Sequence, residues 1–416
     1  MISSQQKIGR WHGAGLLTTT LLGTSVFILP QMTVLVAGDW ALLSWLLLTI
    51  AILPVALVFA TLSSRYPHAG GPAYFVEKAF GVTAGRTIGV LFLCVVPIGA
   101  PAAIIMTYWF IESLFQFTPA FSLPIQLAIV GLVWCLNFRG IQFSASIQLG
   151  LTLLITLVVI MLLVIGLLIP ANSPALNVHS TLEFGPVLSA MGLAFWSFLG
   201  IEALSHLAAD FRRPEKDLIP AIMTGTLLVG GIYLGCTYLV TDTTDSDLAM
   251  ASVFDQLVGG FGVYIIGILG VSGGLATVNV YTASLSRLCW SLSQDGVLPG
   301  YFGKLNRYGI PQRALQAILL VMSATLIFTS KSIHNLEDLI GWVNGVFVLI
   351  YLASMLAAYK LLSLRHRPLV YFSAIFCGII AIGLGSKMFY ALGLFALLSP
   401  LLWLQQRRRK SNAVIP

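Results

Sequence analysis

Two short runs that contain glycine interrupt apolar stretches otherwise typical of continuous membrane helices. One run is Gly-Thr-Ser-Val-Phe at residues 23–27, within an apolar stretch over 13–37. The other is Phe-Leu-Gly-Ile-Glu at residues 198–202, within a stretch over 186–209. Glycine and β-hydroxyl side chains weaken helical order. Because unwound backbone at membrane depth survives only where protein buries it or a cavity borders it, both runs predict a helix break beside a binding site.

The backbone at these two breaks has groups suited to a small zwitterion. A break at Gly23, Thr24 and Ser25 starts a new half-helix whose first N–H groups lack partners and whose positive end attracts a carboxylate. The half-helix that ends at Phe195–Phe198 has a negative end and carbonyls suited to an ammonium group. We therefore predict an amino acid site. The alternative is that Gly23 and Gly200 only permit close packing of helices.

Aromatic residues beside the breaks predict an apolar side-chain pocket. They are Phe27, Phe195, Trp196 and Phe198. Each of them taken alone is as compatible with packing or lipid contact, because aromatic residues make up 11% of the chain. In the third apolar stretch, Pro97 and Pro101 flank Gly99 and predict a kink that shapes the same cavity.

Glu202 is the one acidic residue that we place inside a predicted span and away from its ends. A charged side chain at that depth costs at least about 2.5 kcal/mol on the insertion scale and marks a functional site by default. Two roles are open: the carboxylate caps the half-helix that begins at Gly200, or it relays a coupling proton. His206 lies four residues further on, on the same face of a regular helix, and is the predicted partner of Glu202.

The stretches that carry these residues belong to a series of apolar runs along the whole chain. Hydrophobic residues make up 58% of the 416 residues and charged residues 9%, whereas soluble domains carry about 25% charged residues. Since about 20 apolar residues cross a bilayer, we predict spans at 13–37, 41–62, 87–112, 121–138, 146–169, 186–209, 221–241, 260–285, 314–330, 337–359, 369–385 and 388–404. The predicted fold is an all-α polytopic membrane protein with twelve transmembrane helices.

The two breaks fall in spans one and six, as two inverted five-helix repeats require. We therefore predict a 5+5 inverted repeat within a single transmembrane domain over 1–404. Repeat one covers about 13–169, repeat two about 186–359, and two extra helices about 369–404. Residues 405–416 form a basic tail, whose run Arg-Arg-Arg-Lys at 407–410 contacts anionic lipid headgroups in this prediction.

The positive charges give the expected orientation in the lipid bilayer. Of the 22 Lys and Arg residues, all but Lys331 and Lys387 fall on one side of the predicted membrane when the chain starts inside. Cytoplasmic loops carry such an excess, so both termini are predicted to be cytoplasmic. This topology accounts for the net charge of +7 without nucleic acid. The five cysteines show neither CxxC nor metal-ligand spacing, and we expect no metal and no other cofactor.

At these residues the chain resembles the amino acid–polyamine–organocation transporter superfamily over nearly its whole length. The matching segments are the unwound first-span run at 23–27, the broken sixth-span run at 198–202, the inner-loop segments 65–76 and 213–221, and the segments 287–290 and 295–299. One position departs from the pattern, because Ser25 stands where the superfamily usually has a second glycine. The hydroxymethyl group there narrows the approach to the backbone or adds a donor.

The segments 21–27, 198–210 and 342–351 are also similar to bacterial exporters within this superfamily. That resemblance implies secondary active efflux of neutral apolar amino acids (L-methionine, leucine, isoleucine and valine) across the bacterial inner membrane, with the proton as coupling ion in an antiport. Import by the same fold, coupled to protons or to sodium, is the alternative. An intramembrane enzyme is disfavoured, because it needs clustered His, Asp or Glu at membrane depth and only Glu202 with His206 comes near.

Overall fold

The computed structural model describes residues 8–23, 25–68, 70–140, 145–168, 181–208, 211–243, 248–332 and 334–412. These residues form α-helices joined by short 3₁₀ turns, and their β pairing is limited to one bridge between Ile8 and Phe211. The helices are α1 (Arg10–Leu22), α2 (Leu29–Ala37), α3 (Ala41–Arg65), α4 (Gly71–Phe80), α5 (Val82–Phe115), α6 (Ser122–Phe138), α7 (Ala145–Leu168), α8 (Phe184–Ala194), α9 (Ala203–His206), α10 (Pro214–Val240), α11 (Ala249–Val258), α12 (Gly262–Gln294), α13 (Gln312–Lys331), α14 (Leu336–Leu361), α15 (Arg367–Leu384) and α16 (Met388–Asn412).

Nine helical stretches within the described ranges are long and apolar enough to cross a membrane. Two of them, Ser25–Arg65 and Leu364–Arg407, contain 41 and 44 residues, about twice the 20 or so that one crossing needs. Each of these two stretches reverses at a glycine with positive φ, Gly38 (52°) and Gly385 (54°), a conformation that side chains disfavour. The chain is therefore a multi-pass helical membrane protein.

Several helix bounds differ from those predicted from hydropathy. The predicted span 13–37 is divided into α1 and α2, and 186–209 into α8 and the four-residue α9. The helices α5 and α12 contain 34 and 33 residues. At 1.5 Å per residue they are roughly 50 Å long, well beyond a hydrocarbon core of about 30 Å. The last helix continues to Asn412, so the predicted tail at 405–416 starts inside α16.

Two short helices lie in the connections. The first is α4, which has Pro72 in its first turn, where the missing N–H costs nothing. The ten-residue α11 was not predicted from the sequence, since it is too short to be a span. Its face with Ala249, Met250 and Val253 is buried against the body of the protein. Both helices therefore cover the ends of longer ones.

The long helices pack in two groups. In the first group, α1 and α3 both lie along α10, and α3 also contacts α8 and α9. In the second, α5, α6, α12 and α13 pack together and enclose a buried cluster that includes Ile104, Val133, Leu285 and Met322. The break after α1 lies where the first group meets α12 of the second. This boundary contains the candidate site.

Candidate functional site

The first span is broken at the predicted place. Helix α1 ends at Leu22, and Gly23 follows with φ +32°, outside the range that side chains favour. A single 3₁₀ turn, Ser25–Phe27, leads into α2. Thr24, predicted to contribute backbone to the site, lies outside the described residues. The first N–H groups of a helical segment lack intrahelical partners, and its dipole end is positive.

The sixth span is broken as well, but differently from the prediction. Helix α8 already ends at Ala194, and the 3₁₀ turn Phe195–Phe198 follows it. Gly200 has φ +128°, and regular helix resumes only at Ala203. The second half of the span is therefore a short α9 and not a long half-helix that begins at Gly200.

The two breaks lie against each other and against α12. A Cβ atom placed on Gly200 would lie 2.8 Å from Thr20 Cγ2 of α1. A Cβ atom on Gly23 would lie 2.9 Å from the Thr277 hydroxyl, and one on Gly273 would lie 2.9 Å from the Gly23 carbonyl oxygen. Such distances leave no space for a side chain. Close backbone approach and unusual backbone conformation thus coincide at Gly23 and Gly200.

A cavity of about 60 Å³ borders the breaks. Its walls are formed by Thr20, Leu21, Gly23, Ser25, Val95, Gly99, Ala100, Ala103, Trp196, Leu199, Thr277, Val278, Tyr281, Val343 and Phe347. The volume exceeds the roughly 10–15 Å³ that one water needs. Among these described lining residues there is no Lys, Arg, Asp or Glu, so the cavity suits a ligand whose charges pair with backbone dipoles.

Of the aromatic residues predicted to wall this pocket, the structure brings only Trp196 to it. Phe27 instead packs edge-to-face on Phe110, with ring centroids 6.4 Å apart. Phe195 packs on Tyr351 at 5.6 Å, and Phe198 is likewise buried. These three rings hold the unwound segments in place. Phe347 and Val343 of α14 line the cavity without any signal near the breaks in the sequence that would have identified them.

Glu202 is 3% exposed and lies at the second break. Its Oε2 accepts hydrogen bonds from the Gly200 N–H (3.0 Å) and from the Tyr351 hydroxyl (2.5 Å). The carboxyl group thus holds the backbone at Gly200, two residues before it, and does not cap α9, while Tyr351 of α14 is an additional partner. Donors on both sides compensate for the burial of this polar group.

The His206 side chain contacts α5 and the start of α4. Its imidazole packs edge-to-face on Phe92 of α5, with ring centroids 5.9 Å apart. It also lies against Gly71, where a Cβ atom would come within 2.7 Å of the ring. The expected stacking of Glu202 and His206 on one regular helix face does not apply, because the backbone is unwound until Ala203.

A stacked pair of aromatic side chains, from α3 and α10, supports the first break. Tyr233 of α10 and Trp45 of α3 have ring centroids 4.6 Å apart and planes 9° apart. The Tyr233 hydroxyl donates to the Leu21 carbonyl (3.1 Å) and lies 2.6 Å from the Ser25 hydroxyl. Trp45 Nε1 donates to the Thr33 hydroxyl of α2 (2.8 Å). The Ser25 side chain, at the departure from the usual glycine, is therefore engaged by Tyr233.

We expect Tyr233→Phe to destabilise the protein by about 1–2 kcal/mol, because the Leu21 carbonyl and the Ser25 hydroxyl lose a buried partner. The stack on Trp45 remains. The measurement is the thermal unfolding midpoint in detergent, followed by tryptophan fluorescence. Tyr238→Phe, on the same helix at a half-buried position, is the control. Equal midpoints for wild type and Tyr233→Phe would show that the hydroxyl contacts do not support the break.

The end of α8 has a side-chain partner from α14. The Asn344 amide nitrogen donates to the carbonyls of Gly192 (2.7 Å) and Leu193 (3.3 Å), which belong to the last turn of α8. Carbonyls in the last turn of a helix lack intrahelical donors. Asn344 supplies a donor to the Gly192 and Leu193 carbonyls. An ammonium group would therefore interact with carbonyls of the following turn, Phe195–Phe198.

Three hydroxyl and amide side chains of α12 divide into two sets by their contacts. Thr277 lines the cavity beside Gly23. Asn279 instead accepts a hydrogen bond from the Asn137 amide of α6 (2.6 Å), and the Thr282 hydroxyl lies 4.0 Å from the Met322 sulfur of α13. The latter two residues therefore link helices, and only Thr277 faces the site.

Comparison with known proteins gives matches along the full length of the chain. A family model described as amino acid permease matches residues 8–412. The L-methionine/branched-chain amino acid exporter YjeH of Escherichia coli (strain K12) is 37% identical, over 99% of this chain and 98% of the exporter. The uncharacterized amino acid permease YecA of Bacillus subtilis (strain 168) is 29% identical, over 88% of each chain. The cadaverine/lysine antiporter of E. coli (strain K12) is 23% identical, over 84% of this chain and 81% of the antiporter.

Proposed function

Because the chain belongs to the amino acid permease family, we propose that it exports neutral, apolar amino acids as a secondary active transporter. Its substrates in this proposal are L-methionine, leucine, isoleucine and valine, the classes named for the E. coli exporter that is similar over 99% of the chain. The observation that carries the proposal is the meeting of two helix breaks at one cavity. The intramembrane enzyme considered from the sequence is set aside, since the family and these relatives are transporters.

The substrate carboxylate binds at the first break in this proposal. The backbone of Gly23, Thr24 and Ser25 precedes the first turn of α2, where N–H groups without helical partners and the positive dipole end favour an anion. Two observations support it: Gly23 and Ser25 line the cavity, and the Ser25 hydroxyl is already engaged by Tyr233 at 2.6 Å. The backbone is therefore the donor left for the ligand.

The substrate ammonium group binds at the second break. The turn Phe195–Phe198 ends the first half of the sixth span, where the dipole end is negative. Each carbonyl oxygen has two lone pairs, so one that already accepts a backbone N–H can still accept from an ammonium group. Trp196 and Leu199 from this segment line the cavity. A zwitterion that spans the two breaks is then neutralised at both ends.

The walls of the cavity support an uncharged substrate side chain. Val95, Ala103, Val343 and Phe347 form them on the sides of α5 and α14. A basic side chain such as that of lysine would need a carboxylate, because an unpaired charge is costly in an apolar setting. The lining residues in the described ranges supply none. Neutral amino acids fit this cavity better than the cationic substrates named for the cadaverine/lysine antiporter.

We further propose twelve crossings with both termini in the cytoplasm and a 5+5 inverted repeat. The helices α2 and α3, and likewise α15 and α16, supply two crossings per continuous stretch. The distribution of Lys and Arg supports the orientation, and the membrane in this proposal is a bacterial inner membrane. The group of α1, α3, α8, α9 and α10 then moves against α5, α6, α12 and α13, as their separate packing favours.

Proton antiport is the proposed coupling, with Glu202 as the residue that carries it. Glu202 is buried and bonded to Gly200 and Tyr351 at the second break. A change in its protonation changes the acceptor that holds Gly200 and Tyr351. His206, at the far end of α9, is the proposed second contributor on the inner side. Ionisable residues at membrane depth commonly belong to such proton relays.

The test is counterflow in liposomes that contain the purified protein, with labelled methionine, leucine, valine and lysine, with and without a pH step. We expect exchange of the three neutral amino acids, a several-fold acceleration by the pH step, and little exchange of lysine. In cells preloaded with labelled methionine, overexpression should accelerate efflux. Uptake that requires sodium would instead support the importer, and preferred exchange of lysine would contradict the assignment of neutral substrates.

A further inference from the structure

The cavity beside the two breaks has walls of different chemistry. On one side lie the residues of the two breaks, Gly23 and Ser25 with Leu199, where backbone groups are available. On the other side lie Val95 of α5 with Val343 and Phe347 of α14, which offer only apolar atoms. Given the proposed function, on which this inference rests, the charged groups of an amino acid lie at the first side. Its side chain must then extend toward α5 and α14.

The helix α5 contains two prolines where it borders the cavity. Pro101 has no N–H, so the Pro97 carbonyl, four residues earlier, lacks its helical donor. The Thr325 hydroxyl of α13 donates to that carbonyl at 3.1 Å. Gly99 lies between the two prolines and lines the cavity. Thr325 thereby satisfies the backbone carbonyl two residues before Gly99.

The backbone conformation at position 99 does not require a glycine. It lies within α5 and is not one of the glycines with positive φ. A Cβ atom on it would lie 3.4 Å from Val343 Cγ2 and 3.5 Å from Trp196 Cη2, which are ordinary contacts. This differs from Gly23 and Gly200, where a Cβ atom would lie within 3 Å of a neighbour. An alanine therefore fits at position 99 without displacing the protein.

We propose that Gly99 determines substrate specificity by leaving space for the substrate side chain between Trp196 and Val343. All three residues line the same cavity. A methyl group on Gly99 would occupy the part of the cavity that lies between those two side chains. In the wild type this space is available to the end of a long side chain such as that of methionine, whereas a short side chain such as that of valine does not need it. Gly99 thus sets the length of side chain that the transporter accepts.

Gly99→Ala is expected to lower the ratio of kcat/KM for methionine to that for valine by about tenfold, the effect of roughly one methylene group in an apolar pocket. The ratio is measured by counterflow of labelled L-methionine and L-valine in liposomes. Gly89→Ala is the matched control, because Gly89 lies in the same helix and its added Cβ would meet only Leu292, at 3.7 Å. That variant should keep the wild-type ratio.

A second variant separates a specific effect from a general one. Val343→Ala in the Gly99→Ala protein returns space at the same place, so the ratio should recover to within about threefold of wild type, as expected for residues in direct contact. Equal losses for both substrates, or no recovery in the double variant, would overturn the assignment of Gly99. A wild-type protein that exchanges neither substrate would overturn the proposed function and this inference together.

Discussion

Gly200→Val is expected to abolish amino acid exchange, with a loss of at least about 100-fold, the effect of a displacement near 1 Å at a binding centre. Gly200 has φ +128°, a conformation that β-branched residues disfavour. The added Cβ atom would also lie 2.8 Å from Thr20 Cγ2 and 3.1 Å from Leu21 Cδ2. The second break would therefore be pushed away from the first. The measurement is counterflow of labelled methionine, normalised to the reconstituted protein.

Two further valine substitutions show whether this loss is local. Gly23→Val should have the same effect, since its Cβ atom would lie 2.9 Å from the Thr277 hydroxyl. Gly231→Val is the matched control, because Gly231 is an exposed residue of α10 with nothing within 4 Å of an added Cβ. It should insert into membranes and transport like wild type. Transport by Gly200→Val at the wild-type rate would show that the breaks are not part of the binding site.

Glu202→Gln is expected to transport amino acids without responding to a pH step. The glutamine oxygen can still accept from the Gly200 N–H and the Tyr351 hydroxyl, which lie 3.0 Å and 2.5 Å from Oε2 in the wild type. The amide cannot gain or lose a proton near neutral pH, so the coupling should be lost while the backbone remains held. Counterflow with and without the pH step measures both properties in one preparation.

Glu202→Ala provides the contrast. It leaves the Gly200 N–H without its acceptor in a buried setting, at a cost of about 1–3 kcal/mol, and it leaves the Tyr351 hydroxyl with only the Phe198 carbonyl, at 3.4 Å. We therefore expect it to lose exchange as well as the pH response. If wild type and Glu202→Gln show the same exchange at every pH, with no effect of the step, Glu202 has a structural role only.

The features that could be predicted from the sequence are those that depend on short segments. Apolar length identified a multi-pass helical membrane protein, and glycine in the middle of two apolar stretches identified the breaks, because both signals are local. The isolated Glu202 was recognisable for the same reason, since a carboxyl group at membrane depth is rare. Pro97 and Pro101 both lie within the continuous α5, and the kink that they predict stays a prediction.

What could not be predicted depends on contacts between distant segments. Tyr351 is 149 residues from Glu202 along the chain, and Tyr233 is 208 residues from Ser25. No periodicity in one segment identifies such partners. At the breaks themselves, helical periodicity fails because the backbone is not helical. The sequence pattern therefore could not predict that Trp196 faces the cavity and that Phe195 does not.

The attachment of the broken first span has a mechanical consequence. Trp45 is bonded to the half that follows the break, through Thr33, and Tyr233 to the half that precedes it, through Leu21. The two rings stack on each other, so both halves are anchored to the same pair of neighbouring helices. The break in this span is then held at a fixed angle and does not act as a hinge. The conformational change that a transporter needs must then come from sliding of these helices at their boundary with α5 and α12.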